Sequence, residues 1–415
     1  MTPTSGVEFL IWLLIAASIL AVLAKYLRIP YTVALVLGGV LLSLFPWVWL
    51  SPLQPGQRPN WLTPDVILII FLPALVFEGS IKIDVRDLIH DSVLLLLLAD
   101  FGLLLATMAT GFLLHWVAGM PISIALLFGA LISATDPISV LAIFKDLNID
   151  RRLSVIIEGE SLLNDGTAVV LFQILLAGAL TGRLSLIEGV SQFVIAVAGG
   201  AVLGFLVGYV ASRITQTIDD ARIEITLTTI TAYGSYLLAH HMHLSGVIAT
   251  AAAGLMVGNL GAKKGMSVQT RTALESFWEY TAFVMNSVIF LLIGLEVRIP
   301  AIVQSWRPLL FAIAAVLIGR ACSVYLLVPI SNLVAENVPT RWQHVIVWGG
   351  LRGALALALA LSLDSGFPYR SQFLDLAFGV VTFSVLVQGL TLRPLLRALG
   401  FTDGRTQIPT NLPAD

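Results

Sequence analysis

Ile156-Ile157-Glu158-Gly159-Glu160-Ser161-Leu162-Leu163-Asn164-Asp165-Gly166-Thr167-Ala168-Val169-Val170 places three carboxylates and an amide inside a run that is otherwise apolar. The apolar character extends on both sides, over 151–181. A helix rises about 1.5 Å per residue, so about 20 such residues cross a bilayer core. A charge near the bilayer centre costs about 2.5–3.5 kcal/mol on insertion scales. Acids at this depth must therefore pair, take a proton or line water. At about 100° per residue they divide into two faces. Glu158, Ser161 and Asp165 share one face; Glu160, Asn164 and Thr167 share another. One face can line an ion site while the other is pinned to protein. Glu158 also stands near the expected helix start, where a carboxylate suits the helix dipole. Asp165 lies deeper, where that account weakens.

The rest of the chain supports a membrane setting. Of 415 residues, 58% are hydrophobic and 12% charged, and the mean hydropathy is +0.94. Soluble domains carry about 25% charged residues. A soluble enzyme is excluded, and so is disorder, which needs low hydrophobicity and high net charge. The formal net charge of −2 provides no basic field for nucleic acid. The single cysteine, Cys322, excludes a disulfide framework and a thiolate metal cluster.

Continuous runs such as Leu94–Leu98 predict a helical bundle, because a membrane barrel would alternate over about ten residues. Thirteen spans are expected, at approximately 7–26, 30–49, 64–80, 90–118, 121–147, 151–181, 184–213, 220–240, 244–260, 269–295, 299–333, 340–362 and 369–400. The first lacks a basic leader, since Lys25 and Arg28 follow it, and reads as a retained helix. With this count, one side of the membrane holds Lys25, Arg28, Lys82, Arg86, Lys145, Arg151, Arg152, Arg213, Arg222, Lys263, Lys264, Arg271, Arg341, Arg393, Arg397 and Arg405. The other holds Arg58, Arg183, Arg298, Arg307 and Arg370. The bias predicts an outside N-terminus and a cytoplasmic C-terminus in the cell (plasma) membrane. Residues 1–400 are expected to form one membrane unit, and 401–415, with Gly404, Pro409 and Pro413, a short frayed cytoplasmic tail.

Two spans are interrupted. In span five, Pro137 lacks an N–H and disfavours helix at the residue before it, so Thr135-Asp136 should unwind and free carbonyls. Carbonyls beside carboxylates suit a hard cation. Asp136 could equally cap the second half-helix, and the two roles are compatible. Span twelve, seven later, is loosened by Gly349-Gly350-Leu351-Arg352-Gly353. Paired interruptions in corresponding halves are a pointer to a transporter site between inverted repeats.

Other polar groups at depth have less certain assignments. Glu78 ends span three, and Lys82 and Asp84 close by allow an interfacial reading. Asp100 lies mid-span with no neighbour in sequence to choose its role, and Asp375 falls near an outer end. Arg320 and Arg352 are permanent cations needing carboxylates or carbonyls. Glu160, off the Asp165 face, is the natural partner for one of them, and Arg352 is placed to offset half-helix carbonyls. His240-His241-Met242-His243 fits a solvated loop better than a metal site.

Thr135-Asp136-Pro137, the Glu158–Thr167 stretch and Gly350-Leu351-Arg352-Gly353-Ala354 together resemble the monovalent cation/proton antiporters of the NhaP/sodium–proton exchanger type. The resemblance covers essentially the whole chain. It implies an all-α polytopic membrane protein with crossed broken helices in spans five and twelve. It implies a homodimer with an interface domain (about spans 1–3 and 7–10) and a moving core (about spans 4–6 and 11–13). Asp165 would take cation and proton in turn. Asp136, Ser161, Glu78 and the Thr135 backbone resemble the other ligands for Na⁺ (or Li⁺ or K⁺), with Asn164 beside them. Glu160 and Arg320 resemble the family's buried ion pair. The Asn164-Asp165 pair implies electroneutral exchange.

Such a protein needs no cofactor and no catalytic residue, and its partners are Na⁺, H⁺ and the lipid bilayer. A desolvated carboxylate has a raised proton affinity, so it can hold either ion near neutral pH. Two other classes share part of this pattern. An intramembrane aspartyl protease could use Asp136 and Asp165, but it leaves the Glu and Arg residues without a role. A cation channel is compatible with broken helices and differs in showing no proton-coupled, saturating flux.

Overall fold

Without water, backbone N–H and C=O groups must bond within the chain, and apolar runs of this length do so as helices. The computed structural model describes residues 3–27, 29–44, 66–182, 185–263, 265–297, 300, 304–364 and 366–401, and among these it contains helices and no strands. The tail from 402 and six of the orienting cations (Arg28, Arg58, Arg183, Lys264, Arg298 and Arg405) lie outside the described residues.

The order is α1 (Pro3–Leu27), α2 (Tyr31–Leu44), α3 (Leu72–Lys82), α4 (Val85–His90), α5 (Ser92–Leu96) and α6 (Leu103–Ala118). The interrupted pair α7 (Ile122–Ser133) and α8 (Ile138–Leu147) follows, then α9 (Arg151–Thr181), α10 (Leu186–Thr215), α11 (Ala221–His241), α12 (Gly246–Met256) and α13 (Val268–Glu296). After α14 (Trp306–Ser331) comes a second interrupted pair, α15 (Thr340–Trp348) and α16 (Ala354–Leu361), then α17 (Arg370–Phe383) and α18 (Gly389–Ala398). Every expected span contains helix, but only eight rods among the described residues are long and apolar enough to cross a membrane. The count of thirteen crossings therefore stays an expectation. Span eleven, expected from 299, becomes an uninterrupted helix at Trp306. Span twelve is two short helices, the break expected there.

Sequence chemistry sets the helix ends. Asp150 and Asp220 cap α9 and α11 by accepting from Arg152 N and Arg222 N, and left-handed Gly119 and Gly182 end α6 and α9. In mid-rod, wide π turns bring polar side chains inward. The turn Leu97–Gly102 joins α5 to α6 and holds Asp100. Val257–Ala262 extends α12 and holds Asn259, whose amide bonds Ile83 O at 2.8 Å and Val85 N at 3.2 Å. Ser384–Gln388 joins α17 to α18.

With no hydrophobic drive between helices in lipid, close backbone approach favours association. Gly200, Gly204 and Gly208 form a ridge on α10 against α12; a Cβ at Gly204 would stand 2.0 Å from Ala249 O, so only glycine fits. α1 and α10 are the most lipid-accessible rods, with 22% and 17% of their apolar windows buried.

A candidate cation site where two broken helices meet

Both interruptions face each other. α7 stops at Ser133, Ala134 turns extended, and helix resumes at Ile138. Across from it α15 stops at Trp348 and α16 starts at Ala354. The gaps are fastened by Asp136 N–H donating to Leu351 O at 2.7 Å. Gly353 permits the approach: a Cβ there would stand 2.2 Å from Asp136 Oδ2. Its φ of −132° suits any residue, so space and not conformation demands glycine.

The free ends of the half-helices need counter-charge. Arg352, 2% exposed, donates through Nη1 to Ser133 O and to Ala134 O, the latter at 3.2 Å. Its own N–H donates to Ser384 Oγ at 2.9 Å, and Ser384 Oγ donates to Gln388 Oε1 at 2.6 Å. The guanidinium thus stands at the carbonyl end of α7. At the other end, Asp136 Oδ1 accepts from Ile138 N at 3.0 Å, capping α8 while Oδ2 faces Gly353.

The two faces read from α9 separate in space. On the pinned face, Arg320 Nη1 and Nη2 donate to the two oxygens of Glu160, Nη2 at 2.9 Å, and Arg320 also reaches Ile346 O at 3.0 Å. Both residues are buried. Thr167 Oγ1 donates to Asp100 Oδ1 at 2.8 Å, which supplies the partner that sequence could not choose for Asp100. Asn164 Nδ2 donates to Thr135 Oγ1 at 2.8 Å and its Oδ1 accepts from Thr135 N at 3.3 Å. The amide is thereby spent on holding the α7–α8 gap, and Asn164 does not line the adjoining cavity.

On the other face, Glu158, Ser161 and Asp165 line a cavity of 140 Å³ together with Thr135, Asp136, Glu78 and Asn286. Ser161 Oγ donates to Thr135 O. The Asp165 and Glu158 carboxylates have no hydrogen-bond or ion-pair partner among the described residues. Glu158 stands two turns inside α9, beyond the reach of the helix-start dipole. Glu78 reaches the cavity rim but is engaged: Lys82 Nζ contacts its Oε1 at 2.5 Å and Glu279 Oε1 at 2.9 Å.

Asn286 on α13 escaped sequence reasoning. Its Oδ1 is buried without a hydrogen-bond partner among the described residues, and it lines this cavity and the next one. A polar amide in the apolar run Ala282-Phe283-Val284-Met285-Asn286-Ser287-Val288 was the available signal. The neighbouring 540 Å³ cavity shares Glu78, Glu158, Ile138, Leu141 and Asn286 and continues past Lys82, Lys145 and Ser154. The site therefore opens toward the lysine-rich ends of α3 and α8. On the opposite side of Ala354, a 30 Å³ space lies among Ile289, Leu292, Ile293, Leu357, Leu361 and Phe378, with Glu296 also on its wall.

Arg320, Arg352 and the Asp136 crossing make a transporter core, and comparison with known proteins identifies its family. Residues 13–398 match the model of the transmembrane sodium/hydrogen exchanger. The chain belongs to that sodium/hydrogen exchanger family. It is 39% identical over 398 residues to the Na⁺/H⁺ antiporter NhaH of Halobacillus aidingensis, covering 95% of this chain and 98% of that one. To the Na⁺/H⁺ antiporter NhaP of Pseudomonas aeruginosa it is 36% identical over 396 residues, covering 90% of this chain and 92% of the other. The fold matches the sodium proton antiporter MjNhaP1 of Methanocaldococcus jannaschii with a TM-score of 0.75 at 20% identity, over 95% of this chain and all of that one.

Proposed function

We propose that this multi-pass membrane protein exchanges Na⁺ (or Li⁺ or K⁺) for H⁺, with both ions competing for Asp165. The observation that carries the reading is a carboxylate without a partner among the described residues, Asp165, lining the same small cavity as a second one, Asp136, with a wider cavity adjoining it. A hard cation takes oxygen ligands. The Asp165 and Asp136 carboxylates and the Ser161 hydroxyl supply them, with the Thr135 carbonyl beside Ser161 and Glu78 at the rim. A proton on Asp165 removes the charge that holds the cation, so either ion displaces the other.

Coupling requires that the site face one side at a time. In this structure it adjoins a wide cavity on the side of Lys82 and Lys145, the side that the charge bias assigns to the cytoplasm, while the space on the other side is narrow. Movement of a core containing α7–α9 and α15–α18 against a scaffold containing α2, α3 and α13 would exchange the two exposures. α10, being the least covered rod among the described residues, offers the surface for a second copy of the chain. Asn164 adds no charge beside Asp165, so one cation replaces one proton and exchange is electroneutral.

The test is purified protein in liposomes with an internal pH dye and an imposed pH gradient. Sodium added to one side should dissipate the gradient with saturation. Equal dissipation by choline, or a non-saturating current, would overturn the antiport reading.

A further inference from the structure

One charged cavity lies apart from the candidate cation site. It measures 560 Å³ and lies where the α1–α2 turn meets the ends of α8 and α18. Among the described residues its walls carry Lys25, Arg393 and Arg397 against a single carboxylate, Asp146. Arg393 Nη2 meets Asp146 Oδ2 at 2.9 Å, which cancels that pair. Lys25 and Arg397 have no hydrogen-bond or ion-pair partner among the described residues. Each stands in the last turn of its helix, where a cation offsets the dipole. That accounts for their place along each helix but not for two such ends converging on one cavity.

The cavity floor is apolar, with Ala24, Pro30, Ile143 and Pro394. Its flank faces lipid: Leu23, Tyr26 and Leu27 on α1 are 46%, 82% and 58% exposed, and Leu390 on α18 is 43% exposed. Surplus positive charge at the interfacial end of apolar, lipid-facing helices suits a ligand with an anionic head and hydrocarbon tails. Basic pockets between membrane helices on the cytoplasmic side bind such headgroups. A volume of this size falls within the range of small-molecule sites.

We propose that this cavity binds the headgroup of an anionic phospholipid, with its phosphate between Lys25 and Arg397 and its acyl chains along the exposed faces of α1 and α18. A free phosphate would use the cations but not the apolar flank, so the lipid is the occupant the surface favours. The site joins α1 and α2 to α8 and α18. If the two-body reading above holds, a bound lipid spans the scaffold and the moving core and tunes the exchange rate. Binding itself does not depend on that reading.

The experiment uses the full chain in neutral detergent. Retention of fluorescent phosphatidylglycerol is measured against phosphatidylcholine, and melting temperature is measured with each lipid and with inorganic phosphate. Phosphatidylglycerol should bind and raise the melting temperature; phosphatidylcholine and phosphate should not. Lys25→Gln with Arg397→Gln should weaken retention by about fivefold per cation, roughly twenty-five-fold together. Lys25→Arg with Arg397→Lys should keep it. Undiminished retention in the double Gln variant overturns the site, and stabilisation by phosphate alone overturns the lipid as its occupant. Should the double variant not fold, Lys25→Gln alone decides: a roughly fivefold loss supports the site, and none refutes it. Ion exchange is not read in this assay, so its failure leaves the antiport reading intact.

Discussion

Asp136 donates its backbone N–H to Leu351 O at 2.7 Å, and its carboxylate stands where a Cβ on Gly353 would be 2.2 Å away. The residue that fastens the two broken helices is thus also a wall of the cavity that Asp165 lines. Position and chemistry are linked at one side chain.

Gly353→Ala should therefore act on ion binding. The added methyl displaces the Asp136 carboxylate while the backbone conformation stays allowed. The expected outcome is a rise of about tenfold or more in the apparent KM for Na⁺, since a hydrogen bond or contact to a charged group is worth about 1.5–3 kcal/mol. Liposome exchange against Na⁺ concentration checks this, and a wild-type KM in the variant contradicts it.

Asp165→Asn should abolish exchange yet leave the melting temperature near that of the parent. Asp165 has no protein partner among the described residues, so its removal strands no charge. Residual proton-coupled Na⁺ flux at the parental rate in a folded variant would refute its role.

Glu160 gives the opposite expectation. Its loss leaves Arg320 buried and uncompensated, which costs about 3–5 kcal/mol. Glu160→Ala and Arg320→Ala should each lower the melting temperature strongly. The double variant should be less destabilised than the sum of the two, because no charge is left alone. Additive losses in one detergent would show that the pair is not coupled.

Asn286→Ala should weaken Na⁺ binding more than it destabilises the fold. Its Oδ1 is buried beside the cavity without a hydrogen-bond partner among the described residues, so truncation gives up only the side-chain hydrogen bond to Tyr31. A KM raised about tenfold is expected from the loss of one oxygen contact to a cation. A lower melting temperature with an unchanged KM would assign Asn286 to packing instead.

Asn164→Asp tests stoichiometry. Asn164 Oδ1 accepts from Thr135 N, and an aspartate keeps that acceptor. The Thr135 hydroxyl, now receiving from Nδ2, can rotate and donate to the new carboxylate. The gap should therefore survive. A second acid beside Asp165 couples two titrations and allows an extra proton to be carried. Parental exchange should ignore a potassium-diffusion potential, while variant exchange should respond, at about 2.3 kcal/mol per charge per 100 mV. A voltage response in the parent overturns electroneutrality.

The local features of the site were legible in residues 156–170 and around Pro137. Helical period alone separated Glu160, Asn164 and Thr167 from Glu158, Ser161 and Asp165; in the structure the second set lines the cavity and the first does not, although Ser161 and Asn164 both bond Thr135. The proline predicted the gap, because its ring and missing N–H act within a few residues. What escaped was set by contacts far apart in sequence. Asn286 enters the cavity from a helix more than a hundred residues later, and Lys82 ties Glu78 to Glu279 across 197 positions. Neither pairing leaves a spacing to read.

By itself, the sequence determined that the chain lives in lipid as helices, where two of them break, and which acids lie too deep to be incidental. Those follow from hydropathy, helical period and backbone chemistry, all of which act locally. The tertiary structure alone decided which acids are spent and which are free. Glu160 and Asp100 are bound by Arg320 and Thr167, Glu78 is shared with Lys82, and Asp165 is left open to the cavity. In a medium of low dielectric a buried charge is governed by the nearest opposite charge or dipole. That neighbour is chosen by the packing of helices distant in the chain.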